Sequence, residues 1–172
     1  LLDLHHGTLF GALHRVSDLL EPMVGSLMLQ YRAAKVRHAD ETGWRTDGHS
    51  GYGWLFCSTQ TSIFRFTETR ASRIPEEIFG SIPLEGVLVV DRYGGYNSTP
   101  GKKQFCYSHL LRGVDDLEKE FPEEPEILAF TSEFAPLLAL AIKLRSQPIS
   151  DEDFYKQAAT LARKIKELAM AP

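Results

Sequence analysis

Two apolar segments that each lead to an aspartate constrain the fold of this chain more than any other feature. A run that begins at Val36 leads to Asp40, and Gly86 to Val90 lead directly to Asp91. Short runs of β-branched and aliphatic residues, bounded by turn-forming residues, are typical of buried strands. If these two strands are neighbours in one sheet and each ends at its aspartate, the two carboxylates lie side by side. Paired carboxylates of this kind form sites for hard divalent metals.

Composition limits the classes of protein to which the chain can belong. Its 172 residues are 43% hydrophobic, which is enough for one compact unit with a core. The net charge of -4 argues against broad coating of nucleic acid, so any DNA contact should be local. Two cysteines, Cys57 and Cys106, expected on separate strands, are too few for a disulfide framework and indicate a reducing, cytoplasmic location. We expect neither a membrane span nor a secretion signal.

Hydrophobic periodicity predicts helices at the two ends of the chain and strands between them. Two helices, broken at Pro22, should occupy Thr8 to about Ala34. His5, His6 and His14 in this part lack partners at metal-ligand spacing. At the other end, helical patterns follow His109, and Ser150 with Asp153 forms a capping box for the last of them.

The order of the central elements predicts the topology. An antiparallel meander should be formed by the Asp40 strand, Tyr52 to Ser58 and Ser62 to Thr67, with a loop between Thr46 and Gly51. A helix from Arg70 to Phe79, the Asp91 strand and a fifth strand from Gln104 to Tyr107 follow. This is the order of an α/β, RNase H-like fold, a mixed five-stranded sheet flanked by helices. In that fold the first and fourth strands are adjacent, which brings Asp40 and Asp91 together.

Three sequence motifs indicate a particular protein family. They are His38 to Thr42 (HADET), Gly86 to Tyr96 (GVLVVDRYGGY) and Cys106 to Arg112 (CYSHLLR). In this order and at similar spacing, they resemble the central domain of transposases of the insertion sequence 66 (IS66) family. The resemblance covers about Ala34 to Asp116, and the flanking helical parts match only by pattern.

The resemblance implies a fold, an activity and a set of site residues. Family members use an RNase H-like domain with two aspartates and a later glutamate, which bind Mg²⁺ (or Mn²⁺) and cut and join DNA strands. Asp40 corresponds to the first aspartate and Asp91 to the second, as catalytic residues and metal ligands. The implied partners are DNA, as transposon ends and target, and further copies of the full-length protein.

The implied glutamate lies in an Asn-x-x-Glu-Arg segment beyond a helical insertion, and no such segment precedes Pro172. The chain also begins without Met. We therefore expect a fragment, inactive alone, with a helical lead-in (1–34), a partial RNase H-like core (35–114) and a truncated, all-helical C-terminal insertion (115–172).

Each candidate residue also has a plainer interpretation. An aspartate at a strand end can form a turn or cap a helix. Glu41 should point away from Asp40, to a supporting position or to the surface. His109 and Arg112 could bind DNA phosphates, or could form a structural hydrogen bond and a solvated charge. Cys106-x-x-His109 is half of a zinc ligand set, and core packing is favoured for Cys106. Trp44 and Trp54 are expected in the core or on a sheet face.

Two other functions fit the same sequence. A nuclease or resolvase of this fold would share the metal site and differ in whether it joins strands. A non-catalytic DNA-binding or assembly module would keep the aspartates only as relics.

Overall fold

The computed structural model describes residues 5–170. The chain divides into two compact units, the first ending at Gln104 and the second beginning at Phe105. The helices are α1 (His6–Ala33), α2 (Arg73–Phe79), α3 (Tyr107–Glu120), α4 (Pro125–Leu144) and α5 (Asp151–Ala169). A single turn of 3₁₀ helix covers Gly94–Tyr96.

A mixed five-stranded sheet organises the first unit. Its strands are β1 (Val36–Thr46), β2 (His49–Cys57), β3 (Ser62–Thr67), β4 (Val87–Val90) and β5 (Lys102–Phe105). The order across the sheet is β3-β2-β1-β4-β5, with β1, β2 and β3 antiparallel in sequence and β4 parallel to β1. This is the RNase H-like sheet that the sequence predicts, with the first and fourth strands adjacent.

One face of the sheet carries the core of this unit. Alternate residues of β1 and β2 are buried there, including Ala39, Trp54 and Phe56. Tyr31 of α1 and Phe79 of α2 pack against them with ring centroids about 6 Å apart. Full burial of one such side chain contributes about 1.5–3 kcal/mol. The residues between them in β1, Asp40 among these, therefore lie on the other face.

The hairpin between β1 and β2 differs from the sequence prediction. The segment from Thr46 to Gly51 is not a loop, because Thr46 pairs with His49 and only Asp47 and Gly48 form the turn. Both turn residues have positive φ, 50° and 81°, as a two-residue hairpin turn requires. The strand therefore continues past Asp40, which lies inside an eleven-residue strand and not at its end.

The prediction of two N-terminal helices is also wrong. The single helix α1 runs from His6 to Ala33 and includes Pro22. Proline removes one intrahelical hydrogen bond and strains the preceding turn. Here the helix continues on both sides of that defect.

The second unit contains the three helices α3, α4 and α5, and α4 contacts both α3 and α5. Ser150 caps α5 as predicted, since its Oγ accepts a hydrogen bond from Asp153 N at 3.1 Å. Cys106 precedes α3 and is not on a strand, because β5 ends at Phe105. The 115–172 insertion boundary stays a prediction.

The expectation that the chain has no membrane span stays a prediction. Helix α4, 20 residues long, is long and apolar enough to cross a membrane by length and composition alone. One such helix is weak evidence for a membrane span, because core helices of soluble proteins meet the same criterion; α4 contacts α3 and α5, and 17% of its apolar window is buried.

Candidate catalytic site

The parallel pairing of β1 with β4 places Asp40 beside Asp91. Val36 pairs with Val87 and His38 with Val89. Two residues further along each strand, this register reaches Asp40 and Asp91. Asp91 is the first residue after β4, so the two aspartates occupy neighbouring positions on adjacent strands. The predicted adjacency is confirmed, and metal ligation by the pair stays a prediction.

A glycine at the start of β4 allows this register. Gly86 has φ +84°, and a Cβ at this position would lie 2.0 Å from the carbonyl oxygen of Lys35. The next residue, Val87, donates its N–H to that same carbonyl at 2.9 Å. No side chain fits between the two backbones, so glycine is required where β4 meets β1.

Each aspartate has one oxygen in a local hydrogen bond. Asp40 Oδ1 accepts from the N–H of Glu41 at 3.1 Å, and Asp91 Oδ1 accepts from the N–H of Tyr93 at 2.9 Å. Within residues 5–170 neither carboxylate has an ion-pair partner. The remaining oxygens can therefore accept further bonds or bind a cation.

Glu41 is buried, with only 1% of its side chain exposed. It receives a hydrogen bond from the hydroxyl of Tyr96 at 2.6 Å and one from Nε of Arg70 at 2.8 Å, together with an Arg70 ion pair. It lies on the face opposite to Asp40, as the alternation of the strand predicts. A surface position for Glu41 is wrong, because Arg70 and Tyr96 enclose it.

Arg70 also joins the segment that follows Asp91. Its guanidinium lies 3.8 Å from the ring centroid of Tyr93, whose hydroxyl donates to the Arg70 carbonyl. The rings of Tyr93 and Tyr96 meet edge to face at 6.0 Å. We call these four residues, Glu41, Arg70, Tyr93 and Tyr96, the Glu41 cluster.

Burial and three carboxylates raise the pKa of Tyr96. Burial raises the pKa of its hydroxyl, as do the hydrogen bond with Glu41 and the negative charges of Glu41, Asp91 and Asp40. Burial alone would lower the pKa of Arg70, but Glu41, Tyr93 and Asp91 together raise it. Burial and the charge of Asp40 raise the pKa of the Cys57 thiol.

The match to known proteins identifies the family. The family model described as "Transposase IS66 family" matches residues 2–169. The chain belongs to the IS66 family of transposases. It matches no curated protein sequence.

Two solved structures are similar to this IS66 transposase domain at low identity. The integrase catalytic core of HTLV-2 in complex with magnesium (trimeric form) has 9% identity and a TM-score of 0.32, over 67% of this chain and 88% of that one. A chain of the simian T-cell lymphotropic virus intasome in complex with PP2A regulatory subunit B56 gamma has 10% identity and a TM-score of 0.33, over 56% of this chain. The IS66 domain spans only 46% of that second chain.

Asp40 and Asp91 are the pair of carboxylates that the IS66 domain offers to a divalent metal. Aspartate oxygens suit Mg²⁺ and Mn²⁺, which bind through few carboxylates and retain water. Residues 5–170 contain no group of three or more His, Cys, Asp and Glu side chains arranged to hold a metal. The pair fits one part of a metal site. Cys106 is half-buried and in no disulfide, and with His109 it makes up only half of a zinc ligand set.

His109 and Arg112 belong to the second unit of the IS66 domain. Both lie near the start of α3, and their spacing of three places them on one side of the helix. Arg112 is exposed, whereas His109 is half-buried and its Nδ1 is without a hydrogen-bond partner among the described residues. Their DNA-binding role stays a prediction.

The predicted positions of the tryptophans are confirmed, with Trp54 in the core and Trp44 exposed beside Phe66.

Proposed function

We propose that Asp40 and Asp91 bind Mg²⁺ or Mn²⁺, and that the transposase uses them to cleave DNA strands and transfer the ends to a target. The observation that carries this proposal is the β1–β4 register, which puts Asp40 and Asp91 at neighbouring positions on adjacent strands. Family membership supplies the reaction class.

In this proposal both aspartates would hold the metal. Two bound metal ions about 4 Å apart would assist loss of the proton from the attacking hydroxyl and stabilise the leaving oxygen. Asp40, held inside β1 between β2 and β4, would be a ligand of the metal. Asp91, at the start of a loop, would be a second ligand. The third ligand is a glutamate outside residues 5–170.

The proposal also includes DNA and further copies of the protein as partners. His109 and Arg112 contact DNA phosphates of the transposon ends or target, in a protein that acts in the cytoplasm. The protein works as a homo-oligomer, and α1 supports this because its exposed apolar residues recur every three or four positions: Leu9, Leu13, Val16 and Leu20. A long helix with such a repeat is suited to packing against a second helix.

Thermal unfolding with millimolar Mn²⁺ tests the metal site. Trp44 and Trp54, the only tryptophans, lie in the first unit, so their fluorescence follows the unit that holds both aspartates. A ligand at ten times its Kd stabilises a protein by about 1.4 kcal/mol. We expect Mn²⁺ to stabilise the wild type, and Asp40→Asn or Asp91→Asn to abolish the effect. Asp47→Asn, in the β1–β2 turn, is the control and should keep it.

The outcomes separate the candidate functions. If both aspartate variants retain the Mn²⁺ response, the ligand assignment is wrong and a non-catalytic DNA-binding or assembly module is the better interpretation.

A plasmid-nicking assay tests for cleavage of DNA strands. Residues 1–172 alone should not nick DNA, whereas a longer chain with the glutamate should cut and also join strands. Cutting without joining would favour the nuclease or resolvase.

A further inference from the structure

The burial of Glu41 calls for an explanation beyond folding. A charged carboxylate removed from water is costly unless it is fully paired. Its cross-strand neighbour is the buried Trp54, and the nearest buried residues on this face, Ala39 and Phe56, are apolar. An aliphatic residue would fill this place without a charge. Both oxygens of Glu41 are instead occupied, Oε1 by Arg70 and Oε2 by Tyr96.

The partners of Glu41 come from separate segments. Arg70 belongs to the connection between β3 and α2, and Tyr96 to the 3₁₀ turn five residues after Asp91. The stacking of Arg70 on Tyr93 and the bond from the Tyr93 hydroxyl to the Arg70 carbonyl close the cluster. Both segments are thereby attached to the residue that directly follows Asp40.

Asp91 depends on this attachment more than Asp40 does. The pairing of β4 with β1 extends only to Val89, and β4 ends at Val90. Asp91 therefore lies beyond the paired residues of β4, and its Oδ1 accepts a hydrogen bond from the N–H of Tyr93. The position of Tyr93 thus sets the position of the Asp91 carboxylate.

Gly95 packs closely against the ring of Tyr93. A Cβ at Gly95 would lie 2.2 Å from the ring of Tyr93. That ring is confined between the Arg70 guanidinium and Tyr96. Gly95→Ala would therefore displace Tyr93 without removing any charged or hydrogen-bonding group.

We propose that Glu41 is a positioning residue: through Arg70 and Tyr96 it holds the segment after Asp91 against β1 and so fixes the spacing of Asp40 and Asp91. The inference rests on the proposed function for its consequence, since the spacing matters only if the two aspartates share metal ions. Glu41 itself faces away from Asp40 and does not bind the metal. Groups that hold metal ligands in place typically change metal affinity by 10–100-fold when they are removed.

The test compares two buried tyrosines. Tyr96→Phe removes the hydroxyl that holds Glu41, and Tyr31→Phe removes an equally buried hydroxyl that donates to the His38 carbonyl at 3.1 Å. Mn²⁺ is titrated while tryptophan fluorescence is followed, since Trp44 and Trp54 line the same cavity as Asp40. We expect Tyr96→Phe and Gly95→Ala to weaken Mn²⁺ binding about 10-fold or more. Tyr31→Phe should leave the affinity within about 2-fold, although both tyrosine variants lose stability.

A second measurement separates this proposal from the proposed function. Amide hydrogen exchange of residues 91–97 should accelerate in Tyr96→Phe and not in Tyr31→Phe, with or without metal. If the wild type binds no Mn²⁺ through Asp40 and Asp91 but exchange accelerates, the proposed function fails and the positioning role stands. If exchange and Mn²⁺ affinity in Tyr96→Phe match those in Tyr31→Phe, Glu41 has only a structural role and the proposal is overturned. Glu41→Gln, which keeps the shape of the side chain, should resemble Tyr96→Phe where it folds.

Discussion

At the scale of the residue, the consecutive carboxylates Asp40 and Glu41 have opposite environments. Successive side chains of a strand point to opposite faces, so one carboxylate is exposed and the other is enclosed. Exposure leaves Asp40 free to bind a cation, whereas enclosure commits Glu41 to Arg70 and Tyr96. Asp40→Glu together with Glu41→Asp would therefore disturb both the exposed carboxylate and the enclosed one.

The two buried tyrosines predict how stability changes at alkaline pH. Burial raises the pKa of Tyr31 and of Tyr96 above the usual 10.0; Arg37 opposes the shift of Tyr31, and Glu41 adds to that of Tyr96. As the pH rises past about 10, these tyrosines ionise in the unfolded chain but stay protonated in the folded one. The free energy of unfolding should then fall by about 1.4 kcal/mol per pH unit for each tyrosine.

Urea unfolding between pH 8 and 11, followed by tryptophan fluorescence, measures this dependence. Tyr31→Phe and Tyr96→Phe should each flatten it. Tyr155→Phe, which changes an exposed residue of α5, is the control and should not. A wild-type stability that stays constant up to pH 11 would contradict the prediction.

The residue scale is also where prediction from sequence was weakest. The alternation of β1 indicates that Glu41 faces away from Asp40, but it cannot indicate what lies there. Arg70 and Tyr96 are 29 and 55 residues away along the chain. Only the fold brings them to Glu41, so no local signal distinguishes this buried carboxylate from a solvated one.

At the scale of the element, the meeting of β4 with β1 depends on one glycine. Gly86→Ala would add a Cβ 2.0 Å from the Lys35 carbonyl oxygen, in a backbone conformation that already disfavours a side chain. We expect a loss of roughly 3 kcal/mol or more in the free energy of unfolding. Gly48→Ala is the matched control, since Gly48 has φ +81° and no atom lies within 4 Å of its added Cβ.

Gly48→Ala should cost only about 1–2 kcal/mol, the cost of a left-handed backbone for a residue with a Cβ. Tryptophan fluorescence in urea measures both variants. Equal losses would mean that close packing at Gly86 does not limit the approach of β4.

The sequence predicts whether a segment is a helix or a strand more reliably than it predicts the residues at which the segment begins and ends. Asp91 follows a run of apolar residues that ends at an abrupt turn signal, so the sequence predicts β4 almost correctly. The sequence does not predict the hairpin, because Asp47 and Gly48 favour a tight turn while the polar residues around them also fit a loop. Pro22 likewise reads as a helix break, since sequence does not show that the turns on both sides remain helical.

At the scale of the whole molecule, the location of the tryptophans allows the two units to be followed separately. Ser150→Ala removes the cap of α5 and should cost about 1 kcal/mol in the second unit. Far-UV circular dichroism, to which the helices of this unit contribute, should show an earlier transition in the variant. Tryptophan fluorescence should be unchanged, because Trp44 and Trp54 belong to the first unit. A matching shift in both signals would mean that the units unfold together.

The exposed repeat of α1 predicts self-association of the chain. Leu13 and Leu20 are 65% and 48% exposed on one side of α1, and Leu29, 71% exposed, lies on the opposite side. If a second copy covers the repeat, Leu13→Glu with Leu20→Glu should shift the protein to monomer at micromolar concentrations. Leu29→Glu should not. Light scattering with size-exclusion chromatography measures the mass, and a monomeric wild type would rule out this interface.

The exposure of Asp40 has a consequence for how such elements decay in a genome. Asp40→Asn removes no packing and leaves the local hydrogen bond to Glu41 N available, so the product should fold as well as its parent. Gly86→Ala should instead give an unstable chain that proteases can remove. Under the proposed function, copies inactivated at Asp40 would go on producing a folded protein that occupies the same DNA ends. Some mutations that end transposition would thus turn a mobile element into a repressor of its active relatives.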